Sequence, residues 1–516
     1  MQDHTGHTRR IARNTMMLYF RMFFMMFLGL FTSRLVLEAL GESDYGVYNV
    51  VGGVVAMFSL VSGALTTSVT RFITFEQGKV EGAQLNKVYS TAVNVQLILS
   101  FIVVILTEPV GLWFIENEMT IDPSRIPEAK MVLHFSLLAF VINLMSVPQM
   151  ASITAHEKMS AYAYIGILDG TLRLAVAIAL MHITSSRLVW YAVMTSGVVL
   201  TVRAAYGIYC RRHFPECRYT PVFDKPLLKE MFAFAGWNTI GVASGVLRDQ
   251  GGNLLVNVFS GVAGTAVNAA RGLAVQLNAA VQAFVTNFMT AVNPQITKSY
   301  ASGDHEYMFS LVRKSSRMAF YLLFMIVLPV LFNTDYLLGL WLGEVPAHTN
   351  AFVRLFLVFS LSESISHSLI TAVFATGKVK YYQLVVGGLQ LLNLPISYLF
   401  LHFGAAPEVT VVVSIVISQI SFFVRLLMLR RQIDFSVTSF ITRVYLNVLS
   451  VSAVAVILPL VMNFLPCGQS GLMYFIANVA VCVLSAALAI FFVGCSKAER
   501  GELIGFVRRK FSRRKS

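Results

Sequence analysis

Three arginines, two carboxylates and a run of amides stand inside stretches of this chain that are otherwise apolar. Arg21, Arg248 and Arg271 carry planar forks of N–H donors, and such forks meet phosphate oxygens two at a time. Asn253, Asn268 and Gln276, with Asn238, Gln250, Asn257, Asn278, Gln282, Asn287 and Asn293 around them, offer donors and acceptors suited to hydroxyl groups. Asp169 and Glu363 are candidates for taking up a proton or a cation. Arg173 follows Asp169 by four residues on the same helical face, so the two can pair, and that pairing opposes proton uptake at neutral pH. No arginine lies three or four positions from Glu363, which makes it the better carboxylate for coupling to an ion. Cys210, His213 and Cys217 form the best metal-like grouping, but they lack a fourth ligand and the two-residue thiol spacing of structural zinc sites. They read as reduced thiols in a basic loop, and no metal is expected.

The elements that hold these residues follow from composition. Of the 516 residues, 56% are hydrophobic and only 13% charged, with a mean hydropathy of +0.69. Soluble domains carry about 25% charged residues, so a soluble enzyme is excluded. The apolar runs are continuous over about 20 residues, which also excludes a membrane barrel built from alternating segments of about 10. An all-α polytopic membrane protein is predicted, with about 14 transmembrane helices. The spans run over 15–37, 46–70, 89–115, 131–154, 161–183, 188–210, 231–257, 265–293, 316–340, 351–376, 382–402, 409–429, 444–465 and 472–494.

A charge at the bilayer centre costs about 2.5–3.5 kcal/mol on insertion scales, so each such residue needs a reason. Arg34, Arg203, Arg354 and Arg425 lie near span ends and are expected to snorkel to the interface. Arg21 lies about 10 Å inside its span at 1.5 Å per residue, and Arg248 lies past the middle of span seven. With Arg271 they are expected to face an aqueous cavity. Amides at helix contacts can instead simply glue helices together. Gly236, Gly241, Gly245, Gly251 and Gly252 make span seven easy to bend, and Pro109, Pro148, Pro294, Pro329 and Pro395 are further possible kinks.

The net charge of +14 sits in short loops and the tail, which is a topology signal rather than a nucleic-acid footprint. Lys79, Lys87, Arg211, Arg212, Arg218, Lys225, Lys229, Lys298, Arg313, Lys314, Arg430, Arg431 and Arg443 fall in loops of one side, and only Arg125, Lys130 and Arg187 in those of the other. An even span count then puts both termini in the cytoplasm. The first span is too long, and too charged, to be a cleaved signal peptide. The basic loop divides the chain into a six-helix lobe over 1–210, a cytoplasmic linker over 211–230, a second six-helix lobe over 231–431, an extra helix pair over 432–495 and a basic tail over 496–516. A weak internal repeat sets 40–46 against 260–266, and Gly52 then meets Gly272. The tail is also expected to touch anionic membrane lipids.

The opening segment, Asn14-Thr15-Met16-Met17-Leu18-Tyr19-Phe20-Arg21 and then Thr32-Ser33-Arg34 through Asp44-Tyr45-Gly46-Val47-Tyr48-Asn49-Val50-Val51-Gly52-Gly53, resembles the flippases of O-antigen and capsular polysaccharide export. Arg71-Phe72 and Gly78-Lys79 resemble the same group, notably its Bacteroidetes branch. These flippases share a superfamily with multidrug and toxic compound extrusion antiporters and lipid II flippases. The resemblance is sharpest over the first 80 residues. It implies alternating access between two lobes in the inner membrane, and a cargo of oligosaccharide linked to undecaprenyl diphosphate, moved for surface polysaccharide synthesis. On that reading Arg21, Arg248 and Arg271 bind the diphosphate, Asn253, Asn268 and Gln276 the sugars, and Glu363 or Asp169 a coupling proton or sodium ion. The resemblance brings no catalytic motif and no cofactor.

The alternatives are a lipid II flippase or a multidrug antiporter of the same superfamily and, from another class, a membrane enzyme. A cation-coupled multidrug antiporter would want carboxylates and aromatic walls, whereas arginines outnumber carboxylates in these spans. A membrane glycosyltransferase would want a sizeable external loop with acidic metal ligands, and the stretches 116–130 and 333–350 are short. No GxxxxGK[ST] phosphate loop is present, so energy must come from a gradient or from later use of the product.

Overall fold

The computed structural model describes residues 14–501 apart from 26, 30, 33–34, 37, 41–43, 45–46, 49–50, 52–58, 80–83, 118–124, 260–263, 343–344, 465–470 and 498. Within these residues all long regular structure is helical, as the apolar runs require, since in lipid only a helix or a closed barrel satisfies its own backbone. The helices are α1 (Ser59–Gly78), α2 (Leu85–Asn117), α3 (Ile126–Ala155), α4 (Met159–Met181), α5 (Arg187–His213), α6 (Lys225–Phe259), α7 (Gly264–Ala301) and α8 (His305–Phe332). They continue with a short α9 (Thr334–Leu342), α10 (Thr349–Ala375), α11 (Val379–His402), α12 (Val409–Ile433), α13 (Val437–Asn463) and α14 (Leu472–Gly494). Residues 14–25 are also helical.

Ten of these are long and apolar enough to cross a membrane. Helices α6 and α7 are longer still but less apolar, because they carry the arginines, amides and glycines noted above, and α1, at 20 residues, is shorter than any of the ten. The chain has the all-α architecture of a multi-pass membrane protein. Pro294 does not end α7, which runs 38 residues to Ala301, and Pro109, Pro148 and Pro329 likewise sit inside continuous helices. The repeat expected between 40–46 and 260–266 falls largely outside the described residues, as do Arg34 and the basic tail.

The chain divides into two compact units. The first comprises Met1–Ala243, Thr290–His305 and Gly377–Gln383, and the second Ser244–Met289, Glu306–Thr376 and Leu384–Ser516. In the first, α3 packs against α1, α2 and α5. Its core gathers Val47, Val51, Ile115, Val132, Leu133 and Leu188. The basic loop in this unit is held as a strap along α2. Asn86, Ser90 and Asn94 recur every four residues and so share one helical face. Asn86 Nδ2 donates to the carbonyls of Glu216 (3.1 Å) and Arg218 (2.6 Å), and Asn94 Nδ2 to that of Val222 (3.0 Å). Ser90 Oγ accepts from the Thr220 amide at 3.1 Å, and Lys87 pairs with Asp224 at 2.5 Å.

The other end of the strap is pinned by Glu216, whose carboxylate lies 3.0 Å from His156 Nε2. Burial pushes the Glu216 carboxyl up, but the hydrogen bonds from His156 and from its own backbone outweigh this and hold it below the ordinary 4.5. Its neighbours Cys210 and Cys217 are free and buried, and His213 stacks on Tyr209 while its Nδ1 bonds the Tyr209 carbonyl.

In the second unit, α10 is the most enclosed of the ten apolar spans and packs along α12. Helices α13 and α14 pair through Asn463 and Asn478, and Asn478 also accepts from Asn333 Nδ2 at 3.1 Å.

Candidate functional site: a buried arginine cluster in the second unit

The site grows from the polar face of α10. Ser360, Glu363, Ser364, His367 and Ser368 are spaced three or four apart, so they form one stripe on an otherwise apolar helix. Glu363 is the charged member. Ser418 Oγ of α12 donates to it at 2.5 Å, and Arg425 Nη1 of the same helix lies 3.7 Å away. His367, one turn along, and Arg248 of α6 are close enough to act on the same carboxylate. Arg425 is 1% exposed. It therefore does not snorkel as its place near a span end suggested, because the carboxylate it needs stands on a neighbouring helix and nothing in its own sequence vicinity reveals it.

The same fact changes the standing of Glu363, which has no arginine near it in sequence but has one in space. Both candidate coupling carboxylates face a guanidinium, since Asp169 pairs with Arg173 at 2.9 Å in the first unit. Arg173 lines a cavity of about 200 Å³ there, beside Met25, Thr32 and Tyr191.

Arg271 on α7 is the second buried cation, 4% exposed. Nη1 donates to Thr410 Oγ1 at 3.2 Å and Nη2 to the Asp249 carbonyl at 3.3 Å, while Nε has no protein acceptor. The guanidinium lies 5.6 Å from the Phe356 ring centre. Gly252 makes room for it, since a β-carbon there would fall 2.7 Å from Nη1. Arg248 lies 5.1 Å from the Phe359 ring centre and donates from Nε to Asp249 Oδ1 at 2.8 Å. Asp249 is the exposed member of the group. Three guanidinium groups thus share this region with two carboxylates, one of them facing outward, over two phenylalanine faces.

The amides of α7 meet the hydroxyl stripe of α10. Gln282 Nε2 donates to Ser360 Oγ at 2.9 Å, and Ser360 donates to Asn278 Oδ1. These bonds join helices, as amides in lipid-facing bundles do. On α12, Gln419 donates to Ser362, whose hydroxyl lies 2.9 Å from that of Ser418.

Of the residues singled out by sequence, Arg248, Arg271 and Glu363 come together here. Gln276 is exposed, Asn253 is half-buried on α6, and the Asn268 side chain lies outside the described residues. Arg21 belongs to the first unit, where it stacks over Tyr162 at 4.5 Å against Gly166, with Nε buried and without an acceptor. Arg203 has a buried Nη1, and Arg354 sits at an exposed pair with Asp335 at 3.0 Å, as a span-end arginine should. Sequence reasoning missed Arg425, Ser418, Thr410 and the two phenylalanines. The spacing of the α10 stripe was the available signal for its half of the site.

No family model matches this chain, and no curated protein does. Solved structures do. A multidrug resistance MATE family transporter of the MOP superfamily, in an outward-facing conformation, superposes with a TM-score of 0.69 at 13% identity over 83% of this chain and 96% of its own. The fold is that of the MATE transporters. A MATE protein in the straight conformation gives 0.70 at 14% identity over 83% and 96%. A MOP superfamily transporter from Pyrococcus furiosus, described as having a binding pocket of reverse polarity that suggests a different function, gives 0.67 at 13% over 84% and 96%. Identities this low speak for the shared fold alone.

Proposed function

We propose that this protein is a transporter of the inner membrane that flips undecaprenyl-diphosphate-linked oligosaccharide for surface polysaccharide synthesis. The observation that carries the reading is the surplus of guanidinium over carboxylate around Arg248, Arg271 and Arg425. Forks in a dry site favour a diphosphate, and Arg271 has an Nε with no protein acceptor to offer it. The MATE-like fold supports alternating access, and the P. furiosus protein illustrates that pocket polarity can differ within this superfamily. On this reading both termini lie in the cytoplasm, with six-helix lobes over 1–210 and 231–431.

Arg21, Asn253, Asn268 and Gln276 are assigned to the same cargo. Glu363 and Asp169 are kept as the ion-coupling candidates, with one condition added by geometry: proton or sodium binding at Glu363 requires Arg425 to withdraw in one access state. The cation-coupled multidrug antiporter is the second reading. It is favoured by the multidrug solved neighbours and by Phe356 and Phe359, which are suitable walls for an organic cation.

Liposomes holding the purified protein separate the two. Uptake or flipping of a fluorescent prenyl-diphosphate sugar, competed by other prenyl diphosphates and not by organic cations, is the expected result. Competition by organic cations alone would establish the antiporter instead.

A further inference from the structure

A second buried ion pair, away from the arginine cluster, lies entirely within the first unit. Glu157 occupies the turn between α3 and α4, its side chain only 1% exposed. Its backbone is left-handed, at φ +57°, a position that ordinarily goes to glycine or asparagine. The turn itself is closed by the Lys158 amide bonding to the Ile153 carbonyl at 3.0 Å and the Glu157 amide to that of Thr154 at 2.9 Å. Neither bond needs a carboxylate, so the glutamate is there for another reason. Lys298 Nζ of α7 lies 3.1 Å from Oε1, and Gln295 Nε2, three residues earlier on α7, donates to the same oxygen. Asn14 Nδ2, in the first helical segment, donates to the Glu157 carbonyl at 3.0 Å.

The contact is close as well as charged. A β-carbon on Gly78, at the end of α1, would fall 2.8 Å from Lys298 Cα, so only glycine lets α7 approach there. Leu18, Met159 and Ala291 close the apolar layer beneath, with Tyr162 against them, and Phe75 meets Tyr300 at 6.3 Å. The tail of α7 is thereby fastened to α1, to the α3–α4 turn and to the segment beginning at Asn14. Loop charge assigns all of these ends to the cytoplasmic side.

We propose that Glu157, Lys298 and Gln295 form a latch that fastens the C-terminal end of α7 to the α3–α4 turn and releases it when the cytoplasmic side opens. A desolvated ion pair suits such a duty, because it is held firmly when closed and its charges regain water when open. The part played in a transport cycle rests on the transporter reading, but the latch itself can be read without cargo.

Hydrogen–deuterium exchange on the full-length protein in nanodiscs tests it. In Glu157→Gln and in Lys298→Met, amides of residues 290–301 are expected to exchange about tenfold faster while those of α2 stay as in the parent. The charge-swapped Glu157→Lys/Lys298→Glu protein is expected to regain most of the protection. Unchanged exchange at 290–301 in both single variants would overturn the latch. So would acceleration spread equally over α2, which would mean general loss of packing.

Discussion

Arg271 owes its place to three neighbours: a glycine that leaves space, a hydroxyl that accepts and a phenylalanine face. Removing the fork should remove cargo binding and not the fold, because Thr410 Oγ1 keeps its bond to the Pro407 carbonyl at 3.1 Å. Arg271→Ala or Arg248→Ala is expected to abolish complementation of a flippase-deficient strain at normal membrane expression, and lysine to rescue only in part for lack of a planar fork. Full complementation by both alanine variants would make these arginines structural. Glu363 calls for a different test, since it neutralises a guanidinium that is almost wholly buried. Glu363→Gln removes the carboxylate that faces the buried Arg425, a loss of roughly 3–5 kcal/mol by analogy with broken buried pairs. Glu363→Gln/Arg425→Met should recover most of the lost thermal stability in detergent, and a double variant no more stable than the single one would show that the two residues act independently.

At the scale of elements, the basic loop between the sixth and seventh spans is a strap rather than a slack linker, because Asn86, Ser90 and Asn94 present one polar face for it. Each bond contributes about 0.5–1.5 kcal/mol, and Asn86 makes three, counting the one it accepts from Thr220. Asn86→Ala is therefore expected to raise the rate of tryptic cleavage after the exposed Arg218 by about tenfold or more, read on gels of native protein. The strap should also respond to acid. Glu216 is held below its ordinary 4.5, so its share of stability is complete above that pH and is lost as pH falls through the lowered value. Digestion by pepsin as pH is lowered below 4.5 should open the strap at the acid end in the parent, and Glu216→Gln should flatten the dependence.

For the molecule as a whole, the testable quantity is sidedness. Loop charge predicts a cytoplasmic strap and a short loop after α9 on the opposite side. Reporter fusions after Cys217 and after Glu344 should accordingly report opposite compartments. The same compartment for both would break the fourteen-span order and with it the assignment of the α7 latch to the cytoplasmic side.

Composition by itself determined the class, because 13% charged residues cannot solvate a protein of 516 residues and only helices satisfy their backbones in lipid. Helical spacing also determined that Asp169 meets Arg173, a contact four residues apart on one face. Contacts between distant elements were beyond its reach. Glu363 and Arg425 are 62 positions apart, and Glu157 and Lys298 are 141 apart. Nothing local marks either pair, and the buried place of Arg425 contradicts what its position along the span suggests. Which charges are neutralised is decided by how helices pack side by side, and periodicity tells only which face of a helix is polar, never what stands opposite it.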